Sequence, residues 1–95
     1  MGGEPLCPEN IFLTHLLITE IRKLVPNVPI YIWTGYTIEE LVHRNCSRVT
    51  QILSTINYLI DGPYIKQLHD TTLPMRGSSN QRIINIKEFD FSKIL

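Results

Sequence analysis

Three short segments put glycine beside a carboxylate or a hydroxyl in places where the chain must turn: Gly2-Gly3-Glu4-Pro5, Thr34-Gly35-Tyr36 and Asp61-Gly62-Pro63-Tyr64. Glycine lets backbone approach a ligand closely or turn with positive φ. Glu4 and Asp61 add carboxylates able to accept charge-assisted hydrogen bonds from a cationic or hydroxylated ligand. Taken singly, each segment also reads as a tight turn carrying a solvated acid. A fourth segment, Arg76-Gly77-Ser78-Ser79-Asn80-Gln81-Arg82, supplies two guanidinium forks suited to carboxylates or carbonyls of a protein partner. Ser78, Asn80 and Gln81 supply further donors and acceptors. Two readings stand side by side: a contact surface or lid, and a loop held by its own hydrogen bonds.

The sequence contains two cysteines, Cys7 and Cys46, too few for a disulfide framework of the secreted kind. Only His43, three residues before Cys46, stands at ligand spacing, well short of the four ligands of a structural zinc site. Both cysteines read as reduced thiols, buried or half-buried. His15 falls on the polar face of its helix, and His43 and His69 have no evident partner. No metal ligand and no catalytic residue is assigned.

These segments need elements to hold them. Pro8, Glu9 and Asn10 open a helix whose apolar positions are Phe12, Leu13, Leu16, Leu17, Ile21, Leu24 and Val25. Arg22 and Lys23 face its negative end, and Pro26 stops it. Val28 to Thr34 is near-continuously apolar, the pattern of a strand buried on both faces, with Trp33 in the core. Thr37 and Glu40 have the spacing of a capping box, predicting a short helix through Val42. Arg44 to Ser47 breaks it, and a second helical stretch runs from about Val49 to Ile56. Asn57 to Asp61 reads as the next strand, residues 64–81 as loop, and Arg82 to Ile86 as a last strand. Strand alternating with helix predicts an α/β fold with a parallel sheet, its ligand segments at the carboxyl ends of the strands. A strand before the first helix would complete the pattern, so residues 1–95 are read as a single domain entered partway through.

Lys plus Arg equals Asp plus Glu, nine each, which leaves no basic field for nucleic acid. The first ten residues lack the basic and apolar regions of a signal peptide, and the longest apolar run is too short to span a bilayer. The expectation is a cytoplasmic protein with no membrane partner.

Together the four segments resemble the activating proteins of anaerobic ribonucleoside-triphosphate reductase, members of the radical S-adenosylmethionine superfamily. GGEP at residues 2–5, WTGY at 33–36, DGPY at 61–64 and the RGSSNQR run at 76–82 follow that family's order and spacing over nearly the whole chain. The resemblance implies a partial (βα) barrel of parallel strands, truncated at its N-terminus. It also implies S-adenosylmethionine and a 4Fe–4S cluster as cofactors, and the large reductase subunit, in which a glycyl radical is generated, as partner. Gly2, Gly3, Glu4 and Pro5 would lie against the methionine end of the cofactor, with Thr34 and Asp61 at the next strand ends. Arg76, Ser78, Asn80, Gln81 and Arg82 would meet the partner; Trp33 and Tyr36 have the ring faces to stack on adenine, with core the favoured reading of Trp33. The family's CxxxCxxC cluster loop is not in this sequence, and Met1 stands where a small hydroxyl residue is usual. Two outcomes follow: a piece of an enzyme that is inert alone, or a non-catalytic module that docks on the reductase. An exposed barrel edge would favour self-association.

Overall fold

The structure, a computed structural model, describes residues 3–94. Its ordered elements are α1 (Ile11–Leu24), β1 (Tyr31–Trp33), α2 (Ile38–His43), α3 (Ser47–Thr55), β2 (Tyr58–Asp61) and β3 (Arg82–Asn85), with short 3-10 turns at Lys66–Leu68 and Phe91–Ile94. The strands form one sheet in the order β1-β2-β3. Pairing of β1 with β2 is parallel, Trp33 opposite Ile60, and the crossover through α2 and α3 is the expected βαβ unit.

The all-parallel expectation fails at β3, which pairs antiparallel with β2 and sets Asp61 opposite Arg82. The reason lies in the connection: residues 62–81 contain no α-helix to carry the chain back along the sheet. They fold instead as a loop that returns to the strand end where it began. The architecture is therefore a small mixed α/β sheet.

Ile32, Leu59 and Ile84 face the helices and join Ile18, Ile38, Leu41, Val49, Ile52 and Leu53 in the core. Leu6, buried completely, ties the opening loop to that core. The capping box forms as spacing predicts: Thr37 Oγ1 accepts from the Glu40 amide (3.1 Å) and Glu40 Oε1 from the Thr37 amide (2.8 Å). Arg22 does more than face a helix dipole. Its guanidinium donates to the carbonyls of Pro26, Val28 and Thr55 and to Asn57 Oδ1, all within 2.7–2.9 Å, stapling α1 to the starts of β1 and β2.

Burial on both faces is also corrected for β1. Its residues alternate, Ile32 buried and Tyr31 and Trp33 exposed. Trp33 is 49% exposed rather than core, its indole N–H donating to the Met75 carbonyl at 2.7 Å. Tyr31, stacked on Tyr58, shares this second face, which the 62–81 loop covers only in part. Near-continuous apolarity reports the residue types of a strand; how many layers cover it depends on the rest of the fold.

Candidate functional site

The opening loop is anchored by Glu4. One carboxylate oxygen accepts from the Leu6 amide (2.9 Å) and the Thr34 hydroxyl (2.7 Å), and the other from the Gly35 amide (2.6 Å). The loop therefore lies against the carboxyl end of β1, held by three donors. A carboxylate has about four lone-pair positions, so one on Oε1 stays uncommitted. The loop's backbone is fixed from the other side by α1. Asn10 Nδ2 donates to the Glu4 carbonyl (3.0 Å) and Thr14 Oγ1 to the Pro5 carbonyl (2.7 Å). Asn10 thus serves the loop and does not cap its own helix. At Gly35 a Cβ would stand 3.4 Å from Glu4 Oε1, close to ordinary van der Waals contact.

Asp61 ends β2, and Gly62 with φ of 100° turns the chain there, a conformation that favours glycine. The Gly62 amide donates to the Tyr36 carbonyl at 2.8 Å, joining the two strand ends. Asp61 itself is fully buried. It accepts from the Ile38 amide at the start of α2 (2.8 Å) and from Arg82 through Nε (2.9 Å) and Nη2. The same guanidinium bonds Glu39 Oε1 at 2.6 Å, so α2, β2 and β3 meet on one ion network. The Arg82 hydrogen bond holds the Glu39 carboxyl below the usual carboxylate range, and both acids push Arg82 further toward its charged form.

The segment 76–82 is closed on itself and on the Gly62 turn. Gln81 Oε1 accepts from the Gly77 and Ser78 amides (2.9 and 3.2 Å) while its Nε2 donates to the Gly62 carbonyl (3.0 Å). Asn80 donates to the Pro63 carbonyl (2.7 Å) and accepts from the buried Ser78 hydroxyl (2.6 Å). Arg76 donates to the Gln81 carbonyl (3.2 Å). Of the two readings of this segment, the geometry is that of a self-bonded loop. Tyr64, at the other side of the turn, bonds His69 at 2.8 Å, a partner that spacing alone did not reveal.

Thus Gly3, Glu4, Pro5 and Thr34 come together at the end of β1, and Asp61 stands at the neighbouring strand end, turned inward. Gly2 lies outside the described residues. Tyr36 has the Arg44 guanidinium over its ring at 4.5 Å, and Arg44 in turn donates to the Leu6 carbonyl, closing the opening loop against α2. This brace was not foreseen. Cys7 and Cys46 are free and half-buried. The Val49 amide at the start of α3, more than any other group, holds the Cys46 thiol below its ordinary value.

A mixed α/β unit with its glycine-rich turns gathered at parallel strand ends defines a class, and sequence comparison gives that class a family. Residues 1–84 match the family described as "4Fe-4S single cluster domain", and the chain belongs to it. It is similar to the anaerobic ribonucleoside-triphosphate reductase-activating protein of Escherichia coli K12, 38% identical over 86 residues, 90% of this chain and 53% of that protein. The protein of the same name from Pasteurella multocida is 35% identical over 88 residues, 93% of this chain and 54% of that one. That of enterobacteria phage T4 is 34% identical over 82 residues, 86% and 48%. The chain spans about half the length of the curated relatives it matches. No solved structure matches it.

The residues present do not fit the cluster that the family implies. Such clusters are held by cysteine thiolates, and the sequence has two cysteines. Among the described residues no three His, Cys, Asp or Glu side chains gather as a metal site. No described helix is long and apolar enough to cross a membrane.

Proposed function

We propose that this chain is the S-adenosylmethionine-cradling portion of a cytoplasmic activase for anaerobic ribonucleotide reductase, related to the radical enzymes that generate a glycyl radical. The observation that carries this reading is the Glu4 lock, three donors from the opening loop and β1 end on one carboxylate. It fixes Gly3-Glu4-Pro5 in place and leaves one Oε1 lone pair for an ammonium such as that of the cofactor's methionine end. Gly3, Glu4 and Pro5 would hold that end, with Thr34 setting the direction of Glu4. Asp61 acts from behind: by bonding the Ile38 amide and Arg82 it fixes the neighbouring strand end and touches no ligand. The ordered 76–82 loop presents the face that meets the reductase. The (βα) barrel that the resemblance implies is the parent architecture of which this mixed sheet would be a part.

Alone, the chain holds no cluster and is inactive. Calorimetric titration of the 95-residue chain with S-adenosylmethionine tests the reading. Measurable binding that Glu4→Gln weakens supports it. Equal binding, or none, by wild type and variant contradicts it. Anaerobic reconstitution with iron and sulfide is expected to give no 4Fe–4S absorbance, and a stoichiometric cluster would refute the ligand argument.

A further inference from the structure

Arg44 reaches out from a helix end that is itself firmly fixed. Ile38 and Leu41 of α2 lie in the core, and the Ile38 amide is tied to Asp61 at the end of β2. The Arg44 amide donates back to the Leu41 and Val42 carbonyls. Asn45, with φ of 51°, then turns the chain out of the helix. The Arg44 side chain is left to span from α2 to the opening loop and the end of β1.

What it touches there closes a ring. Arg44 Nη1 donates to the Leu6 carbonyl. The Leu6 amide donates to Glu4 Oε2 (2.9 Å), which also accepts from the Thr34 hydroxyl (2.7 Å). Thr34 Oγ1 accepts in turn from the Tyr36 amide (3.2 Å), and the Tyr36 ring lies under the Arg44 guanidinium at 4.5 Å. Arg44, Leu6, Glu4, Thr34 and Tyr36 thus form a closed circuit, each in contact with the two beside it. Linked hydrogen bonds orient one another, so the circuit is stiffer than its contacts taken singly.

Arg44 alone in this circuit comes from neither the opening loop nor the end of β1. A guanidinium suits that place, since it donates in its plane while its face rests on an aromatic ring. Among the described residues no carboxylate lies within ion-pair reach of it, so its charge is not engaged in a surface pair. Without it the loop stays tied to α1 through Asn10 and Thr14, but its polar link to β1 rests on Glu4 alone. We propose that Arg44 is the positioning residue of the Glu4 carboxylate, closing this circuit so that Oε1 stands ready for an ammonium. The ligand end of the proposal rests on the S-adenosylmethionine reading, and Arg44 itself touches no ligand.

The test compares the full 95-residue chain with Arg44→Met, which keeps an apolar stem and loses the fork. Hydrogen exchange is followed at the Leu6 and Gly35 amides, both donors to Glu4, with the β2 amides as reference. Exchange at Leu6 and Gly35 is expected to quicken about tenfold while β2 is unchanged. In calorimetry Arg44→Met should weaken S-adenosylmethionine binding about tenfold, and no further where Glu4→Gln is already present. Equal quickening at β2 would mean that Arg44 serves overall stability alone, and overturns the proposal. So does unchanged exchange at Leu6 and Gly35, unchanged affinity, or an affinity loss that is the same with and without Glu4. If Arg44→Met does not fold, Tyr36→Leu opens the circuit at the same contact and is read in the same way. The two readings fail separately. A wild-type chain that binds no S-adenosylmethionine sinks the cofactor reading, and the exchange pattern then decides alone whether Arg44 positions Glu4.

Discussion

The carboxyl ends of the strands and the α1 border of the sheet are built in opposite ways. At the strand ends, polar groups are paired with one another: Glu4 with Leu6, Thr34 and Gly35, and Asp61 with Ile38 and Arg82. At the border, α1 buries Ile18 and leaves all four of its leucines, Leu13, Leu16, Leu17 and Leu24, half or more exposed. Buried polar groups stabilise only when every partner is present, so the strand ends are rigid and intolerant of change. Exposed apolar side chains contribute little to this chain's own stability, so the border tolerates change. The difference teaches that interlocked polar groups and exposed apolar ones set very different limits on substitution within one small fold.

Substitutions at the two regions should therefore differ sharply. The largest effect is expected at Asp61→Ala, which strips the Ile38 amide and Arg82 of their acceptor. Asp61 is buried, but Arg82 is 44% exposed and keeps Glu39, so the loss, chiefly of the buried Ile38 amide's acceptor, is about 2 kcal/mol, measured as a shift of the urea midpoint. An effect below about 0.5 kcal/mol would mean that water replaces the carboxylate. Next comes Thr34→Val, which removes one hydroxyl donor to Glu4 and should cost about 1 kcal/mol. At the border, Leu17→Glu should change stability by less than about 0.5 kcal/mol. A large loss there would erase the contrast between the two regions.

The smallest effect concerns pH. Glu39 has its folded value depressed by Arg82, so it contributes stability above its unfolded value, about 4.3. That contribution is lost as pH falls through the lower folded value. Both side chains are more than two-fifths exposed, so solvent keeps the contribution small. Melting temperature followed from pH 6 down to about 3 should fall less steeply in Glu39→Gln than in wild type. Identical slopes would show that Glu39 takes no part in the network.

Much of the fold was legible because its causes are local. Thr37 and Glu40 stand three residues apart and form their capping box whatever surrounds them. The same holds for the stop at Pro26 and for the helical spacing of Val49, Ile52 and Leu53. The roles of Asp61 and Arg82 were not legible in this way. Each looks like a ligand or partner contact until the antiparallel register of β2 and β3 sets them opposite one another, and that register depends on a loop with no periodicity. Arg82 assigned to a partner and Asp61 assigned to a cofactor are in the structure each other's counter-ion. Trp33 was misplaced for a related reason, since residue type cannot report whether a second layer covers the sheet. Glu4 and Thr34 read from the sequence as residues of separate turns, and that Thr34 bonds Glu4 emerges only in three dimensions.

The Glu4 lock is the claim on which the cradle depends, and the Gly35 amide proton reports on it directly. In nitrogen-15-resolved spectra of the full chain, that proton should resonate well downfield, as expected for a short bond to a carboxylate. It should move upfield in Glu4→Gln and shift again on titration of wild type with S-adenosylmethionine. A Gly35 amide that is unmoved by both the substitution and the cofactor would contradict the account.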